Sequence, residues 1–306
     1  MTPKVSVCII TYNHERFIQR AIESALSQRT TFPFDIIVGD DSSTDDTQPI
    51  IHRLREERPD IIRIIPAEPR VGMTLNLQRV LFACTGKYIA LLEGDDYWTD
   101  ENKLQRQVEF LESHPEYSLS FHNAIIQRER EDGTVSRSKA RGSGIRKTFG
   151  MRDILRKNFI PTHSAVLRGS IARAIPDWCT RYAFVDWPLF ILAAMKGKIH
   201  YLPQCMGVYR IHPRGASGLG QWGHEKNILI YKDMLRFYET IDPILDHRYH
   251  SFIKSRLAHT YLGLAILYHK SGDAKNSHLM MRSALKIRPT PLTATKALAA
   301  SVFMRL

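Results

Sequence analysis

The chain has 306 residues, with 43 Lys and Arg against 31 Asp and Glu for a formal net charge of +12; 43% of it is apolar and 24% charged. That balance is ordinary for a globular protein and excludes wholesale disorder, collagen-like repeats and low-complexity architecture. The apolar-rich runs at 5–10 and 297–304 fall far short of the ~20 residues of a membrane-spanning helix, and Cys8, Cys84, Cys179 and Cys205 are too scattered for a zinc site or a disulfide framework, so reduced, cytosolic thiols are expected.

Residues 5–11 are apolar and β-branched, as in a strand buried on both faces, and Asn13-His14-Glu15-Arg16 interrupts the run as no signal peptide would. Phe17, Ile18, Ala21, Ile22, Ala25 and Leu26 follow at helical spacing. A strand over 35–39, a turn at 41–44 and a helix over 50–58 repeat the unit, and 61–65, 75–83 and 88–92 read as another strand, helix and strand. Such alternation implies βαβ units and a mostly parallel sheet, whose binding crevice lies beyond the carboxyl ends of its strands. Polar clusters stand at three of those ends: Thr11-Tyr12-Asn13, Asp40-Asp41-Ser42 and Glu93-Gly94-Asp95-Asp96.

Further on, 104–111 reads as a helix, 119–126 as a strand, and the apolar-poor stretch 128–147 as a mobile loop. From about residue 225 the pattern is all helical and carries 13 Lys and Arg against 6 Asp and Glu, +7 of the total +12. Within it Tyr261, Leu264, Ala265, Tyr268, Gly272, Ala284 and Pro289 resemble one tetratricopeptide helical hairpin, though an ordinary helical hairpin accounts for them equally well.

Three carboxylates directly after a buried strand, on Glu93, Asp95 and Asp96, repel one another unless a cation offsets them. Mg²⁺ or Mn²⁺, which prefers oxygen ligands, is the natural partner; an acidic helix N-terminus explains the cluster about as well. In the second cluster Asp41 is placed to accept a hydrogen bond from a base N–H, and Asp45 or Asp46 to cap a helix starting near Thr47.

Taken together, Val5-Ser6-Val7-Cys8-Ile9-Ile10-Thr11-Tyr12-Asn13, Ala25-Leu26-Ser27-Gln28, Val38-Gly39-Asp40-Asp41-Ser42-Ser43-Thr44-Asp45-Asp46-Thr47, Gly72 with Asn76, and Gly86-Lys87-Tyr88-Ile89-Ala90-Leu91-Leu92-Glu93-Gly94-Asp95-Asp96 resemble the family 2 glycosyltransferases, over roughly residues 4–215. The resemblance implies an α/β GT-A fold, a Rossmann-like mixed sheet flanked by helices, over residues 1–220, with an all-helical C-terminal appendage over 221–306. It also implies inverting, metal-assisted transfer of a hexosyl or N-acetylhexosaminyl group from a nucleotide diphosphate sugar, a UDP-sugar first, to a hydroxyl of a saccharide or lipid-linked acceptor. By that resemblance Thr11, Tyr12, Glu15 and Asp41 hold the nucleoside, and Glu93-Gly94-Asp95 stands at the family's metal motif with Glu in place of the first Asp. Asp95 and then Asp96 are therefore the expected ligands of Mn²⁺ or Mg²⁺, with Glu93 assigned to the nucleotide. Thr74-Leu75-Asn76 stands where relatives have an Ala-Arg-Asn-like triplet, so no arginine contact carries over.

Asp186 falls on the family's base position, with Val185 in place of the usual Glu; an N-cap ahead of Pro188 is the competing reading. Tyr209-Arg210-Ile211-His212 resembles the segment that closes the site in relatives, which makes His212 a metal ligand or diphosphate contact and gives Arg210 and Arg214 the charge of the leaving group. His122-Asn123 and Thr162-His163-Ser164 are expected on the acceptor side, His163 as a satisfied core histidine.

A second reading is a catalytically weak nucleotide-binding module whose helical tail serves a protein or membrane interaction. Nucleic acid is excluded as a partner by the lack of any aromatic-interleaved basic stripe, zinc finger, RNP or helix-turn-helix pattern. The basic tail points to an anionic membrane surface, and Leu292, Leu298, Ala299, Val302, Phe303 and Leu306 give its end an apolar face, which completing the helical core explains slightly better. The resemblance places the chain in a bacterial cell-surface polysaccharide pathway, cytoplasmic or peripheral on the inner face of the membrane; the oligomeric state is left open.

Overall fold

Alternating apolar runs and helical periods build a sheet from the first residues onward, in a computed structural model that describes residues 2–65, 69–142, 144–184, 186–215 and 223–289. β1 (Val5–Thr11) is buried along its whole length because parallel neighbours flank it on both edges, β2 (Phe34–Asp40) and, later in the chain, Tyr88–Glu93. Between the first two, α1 (Ile18–Leu26) turns Ile18, Ala21, Ile22 and Ala25 into the core. α2 (Thr47–Glu57), β3 (Ile62–Ile65) and α3 (Met73–Ala83) lead to β4 (Tyr88–Glu93). Gly39 lets α3 lie against the sheet: a Cβ there would stand 2.7 Å from Asn76 Oδ1, and the Asn76 amide donates to the Gly39 carbonyl at 2.8 Å.

The second half of the sheet is mixed. β5 (Tyr97–Trp98), α4 (Lys103–Ser113), β6 (Tyr117–Glu129), β7 (Val135–Lys139), β8 (Thr148–Phe149), α5 (Met151–Arg156), β9 (Val166–Arg168), α6 (Gly169–Ala172), α7 (Asp186–Lys196) and β10 (Lys198–Ile211) follow in order. The sheet runs β3-β2-β1-β4-β9-β6-β10-β5, with β7 on β6 and β8 on β10. β9 is antiparallel to both β4 and β6, so it joins the parallel β3-β2-β1-β4 half to the parallel β6-β10 pair. The carboxyl ends of β1, β2 and β4 therefore share one rim.

Two expectations change here. The stretch at 128–147, expected as a mobile loop, begins with the end of β6 and continues as a hairpin whose return strand is β7. Gly133 takes the left-handed turn at φ +80, and Asp132 Oδ1 accepts from the Thr134 N–H and hydroxyl. Every residue of β7 is exposed, so backbone pairing forms the strand without an apolar face to announce it. His163 is buried as expected but unsatisfied: neither ring nitrogen has a hydrogen-bond partner among the described residues.

By its contacts the chain divides into two compact units, Met1–Thr180 with Val185–Gly218, and Arg181–Phe184 with Leu219–Leu306. In the second, α8 (His224–Ile244), α9 (His250–Lys270) and α10 (Ala274–Ile287) follow one another, and Gly272, at φ +81, turns α9 into α10. Ala258, Leu262 and Ala284 form the small core of that hairpin, and Ser277 Oγ donates to the Ala265 carbonyl at 2.9 Å. No helix of the described residues is long and apolar enough to cross a membrane. The apolar positions from Leu292 to Leu306, like Val185, lie outside the described residues.

Candidate active site

The acidic turn after β4 splits its three carboxylates between two groups. Asp95 turns toward His212 and His14, its Oδ2 3.3 Å from His212 Nε2 and 4.0 Å from His14 Nε2. Burial pushes the Asp95 carboxyl up, but the His212 hydrogen bond and the His14 charge outweigh it and hold the group below its ordinary value. His14 is itself kept below its ordinary value by burial, and its Nδ1 lies 3.1 Å from the Thr11 hydroxyl. One ligand atom from each of His14, Asp95 and His212 lies within 4.8 Å of the others. Two imidazoles and a carboxylate, with one ring nitrogen fixed from behind, fit a divalent cation such as Mn²⁺.

Glu93 and Asp96 face inward instead, toward His163, as a second such group. Asp96 Oδ1 accepts from the Arg210 N–H at 2.7 Å, while Asp96 Oδ2 lies 3.0 Å from His163 Nδ1 without hydrogen-bond geometry. Burial, followed by repulsion from neighbouring carboxylates, raises both Glu93 and Asp96 well above their ordinary range; burial drives His163 down to about 3. Lys103 lies deeper, its Nζ buried without a hydrogen-bond partner among the described residues, 3.8 Å above the Trp98 ring, and held well below its ordinary value by desolvation. Of the three expected metal ligands the structure thus brings together Asp95 and His212, adds His14, and turns Asp96 away.

Asp186 begins α7, where its Oδ1 accepts from the Trp187 N–H at 2.8 Å and its Oδ2 from Asn158 at 2.7 Å and Thr162 at 3.1 Å. After burial and the neighbouring Asp96 and Asp95, the charge of Asp186 also raises the Glu93 carboxyl, so Asp186 lies within electrostatic reach of the acidic turn. Burial raises the Asp186 carboxyl, and the three donors only partly offset it.

The nucleoside residues form a separate group. Asp41 is buried and accepts from the Val71 and Gly72 N–H groups at 2.8 and 2.9 Å. Its carboxylate therefore holds the entry to α3, and Arg70, 3.5 Å away, lays its guanidinium over the Tyr12 ring at 3.6 Å. Arg79, nearly two turns into α3, donates to the Asp40 carbonyl at 2.7 Å. Glu15 accepts from the Asp46 N–H at 3.2 Å, and the capping expected of Asp45 or Asp46 belongs to Asp45, which takes the Thr47 N–H at 3.0 Å.

Arg210 packs between Phe17 and Tyr97 and donates to the Asp95 carbonyl at 2.6 Å, bracing the acidic turn from behind. Arg214 is exposed and, with Asn13, Glu15, Glu129 and His212, lines a cleft of about 160 Å³. His122 and Asn123 are buried, and Asn123 ties the backbone of Arg141 through both its amide atoms. Sequence reasoning missed His14, Asn158 and Arg70; only His14 carried a signal, standing three residues after Thr11 at the end of β1.

The chain belongs to the glycosyltransferase family described as "Glycosyl transferase family 2", whose sequence profile matches residues 6–174. An uncharacterized protein of Mycobacterium tuberculosis (strain ATCC 25618 / H37Rv) is 36% identical over 236 residues, 77% of this chain and 64% of that protein, so the chain spans just under two thirds of that relative's length. The UDP-Glc:alpha-D-GlcNAc-diphosphoundecaprenol beta-1,3-glucosyltransferase WfaP of Escherichia coli is 36% identical over 125 residues, 41% of this chain and 47% of the enzyme. Among solved structures, the mannosyltransferase PcManGT of Pyrobaculum calidifontis, in complex with GDP-Man and Mn²⁺, superposes with a TM-score of 0.57 at 16% identity, covering 100% of this chain and 81% of that one. The fold is GT-A, with an added helical region.

Proposed function

We propose that the protein transfers a hexosyl or N-acetylhexosaminyl group, with inversion and metal assistance, from a nucleotide diphosphate sugar to a hydroxyl of a saccharide or lipid-linked acceptor. The observation that carries this reading is the carboxylate of Asp186, held by Asn158 and Thr162 within electrostatic reach of Glu93 in the acidic turn. A base at Asp186 would stand beside the rim where the donor's diphosphate would lie. The UDP donor and the lipid-linked acceptor are supported by the likeness to the Escherichia coli glucosyltransferase, and the metal by the Mn²⁺ complex of the archaeal neighbour.

His14, Asp95 and His212 would hold the cation, which when bound supplies positive charge to the diphosphate. Two imidazoles make Mn²⁺ the better fit than Mg²⁺. Thr11, Tyr12, Glu15 and Asp41 are assigned to the nucleoside side, where Asp41 acts by fixing the 71–72 backbone and Tyr12 offers its ring. The acceptor oxygen attacks the sugar C1 while the C1–O bond to the diphosphate breaks and its electron pair leaves with the nucleotide. Asp186 takes the acceptor's proton, helped by a basicity that burial raises. Arg214 is free to approach the phosphates from the cleft; Arg210 contributes by holding the Asp95 carbonyl.

Asp186→Asn tests the assignment: donor binding stays within about twofold and turnover falls about 10²–10⁴-fold, the usual share of a general base. Full turnover in that variant removes Asp186 from the role. For location, an anionic membrane surface is the proposed partner of the basic helical region. Flotation with anionic vesicles, lost in high salt, is the expected result; a chain ending at Pro289 that floats undiminished rules out the terminal segment as the anchor.

A further inference from the structure

The helical unit holds a cluster of donors that glycosyl transfer does not use. Asp242 lies in the last turn of α8, His247 in the connection and His250 at the start of α9. Two successive left-handed residues, Asp246 at φ 50 and His247 at φ 56, fold the connection back, and the His247 N–H reaches the Asp242 carbonyl at 3.1 Å. Both imidazoles then converge on one oxygen: Asp242 Oδ2 is 2.9 Å from His247 Nδ1 and 2.7 Å from His250 Nδ1.

We infer that Asp242, His247 and His250 form a binding site for a divalent transition-metal ion of the Zn²⁺ type. The donor set is two nitrogens and one carboxylate, which suits Zn²⁺ and its neighbours and not Mg²⁺. With metal–ligand bonds of about 2.0–2.1 Å in tetrahedral geometry, ligand atoms stand ~3.3 Å apart. The observed separations of 2.7 and 2.9 Å need to open by only about half an ångström. Coordination through Nδ1 takes each ring in the tautomer with its hydrogen on Nε2, on side chains that are 62% and 46% exposed. Solvent can supply the fourth ligand.

A second observation points to a ligand. Asp242 is 9% exposed, and its other oxygen, Oδ1, is buried with no hydrogen-bond partner among the described residues. A carboxylate placed only to receive two histidine N–H groups leaves that oxygen at a cost. A bound cation, or a water on it, would satisfy it.

The test is Zn²⁺ uptake by the full chain, read by competition with a chromophoric chelator and by metal content after gel filtration. His212→Ala serves as the background, because His14, Asp95 and His212 also offer nitrogen and carboxylate donors. The expected result is one retained Zn²⁺ per chain, unmoved by excess Mg²⁺, with Co²⁺ giving the visible bands of a tetrahedral site. Adding His250→Ala, or the near-isosteric His250→Gln, lowers the affinity at least about 100-fold while circular dichroism is unchanged, since His250 is a surface side chain. Equal uptake with and without His250, or no retained Zn²⁺ in a folded His212→Ala chain, overturns the inference.

Discussion

Asp95 and Asp96 are neighbours with opposite titration behaviour, and what each one faces explains why. Asp95 meets two imidazoles and is held low, whereas Asp96 is buried beside the Asp95 carboxylate, against a neutral His163 that offers no compensating charge, and is raised. Asp95→Asn is therefore expected to abolish stimulation of nucleotide release by Mn²⁺, measured against EDTA-treated protein. Gly94 is the hinge of this arrangement: a Cβ there would stand 2.6 Å from Thr11 Oγ1 and 2.9 Å from His14 Nδ1. Gly94→Ala is expected to cost about 1–3 kcal/mol of stability by overpacking and to weaken Mn²⁺ binding by displacing His14, which a thermal melt and a metal titration will show. Asp186 must be ionised to act as a base, and its raised carboxyl moves the acid limb of kcat/KM to a pH above the ordinary aspartate value of 3.8; a pH–rate profile checks this. Asp95, His212 and Asp186 could be proposed from the sequence because each sits in a motif. His14 could not be assigned, since a histidine just after a strand becomes a donor only when β10 brings His212 beside it. Asn158 is a common polar residue without a motif, Thr162 was expected only on the acceptor side, and the fold alone aims both at Asp186.

Strands with an apolar signature were legible; strands made by pairing alone were not. β1, β2 and β4 announce themselves as buried apolar runs, and α1 as a helical stripe. β7 gives no sign because its five side chains all point into solvent, and β9 is too short for its periodicity to be read. β10 carries a pH-sensitive element in His200, which stacks on Phe110 with ring centroids 3.5 Å apart. Burial, then the charges of His114 and Lys147, hold this imidazole down to about 4, against 6.5 for an unperturbed histidine. As pH falls from 6.5 toward 4 the unfolded chain takes up the proton first, so the folded state loses stability across that window. The urea midpoint of the wild type should fall more steeply there than that of His200→Gln, by an amount equivalent to roughly 1–3 kcal/mol, since part of the ring's surroundings is solvent. Equal slopes would mean that His200 protonates as easily folded as unfolded.

For the whole molecule, family membership and the GT-A sheet account for the first unit, and the helical unit lies beyond the residues that the family profile matches. The net positive charge concentrates after residue 225, a distribution plain from counting, whereas the cluster of Asp242, His247 and His250 depends on a turn through two left-handed residues that no periodicity encodes. The claim that joins the sheet, the acidic turn and Asp186 is that the rim binds and activates a nucleotide sugar. It is tested most directly by nucleotide release from UDP-, GDP- and dTDP-sugars with Mn²⁺, with Mg²⁺ and with EDTA, since slow hydrolysis to water reports the donor without its acceptor. The expected result is release from one donor, fastest with Mn²⁺ and abolished by EDTA. Absence of release from every donor, together with no metal-dependent binding of any of the three nucleotides, would contradict it.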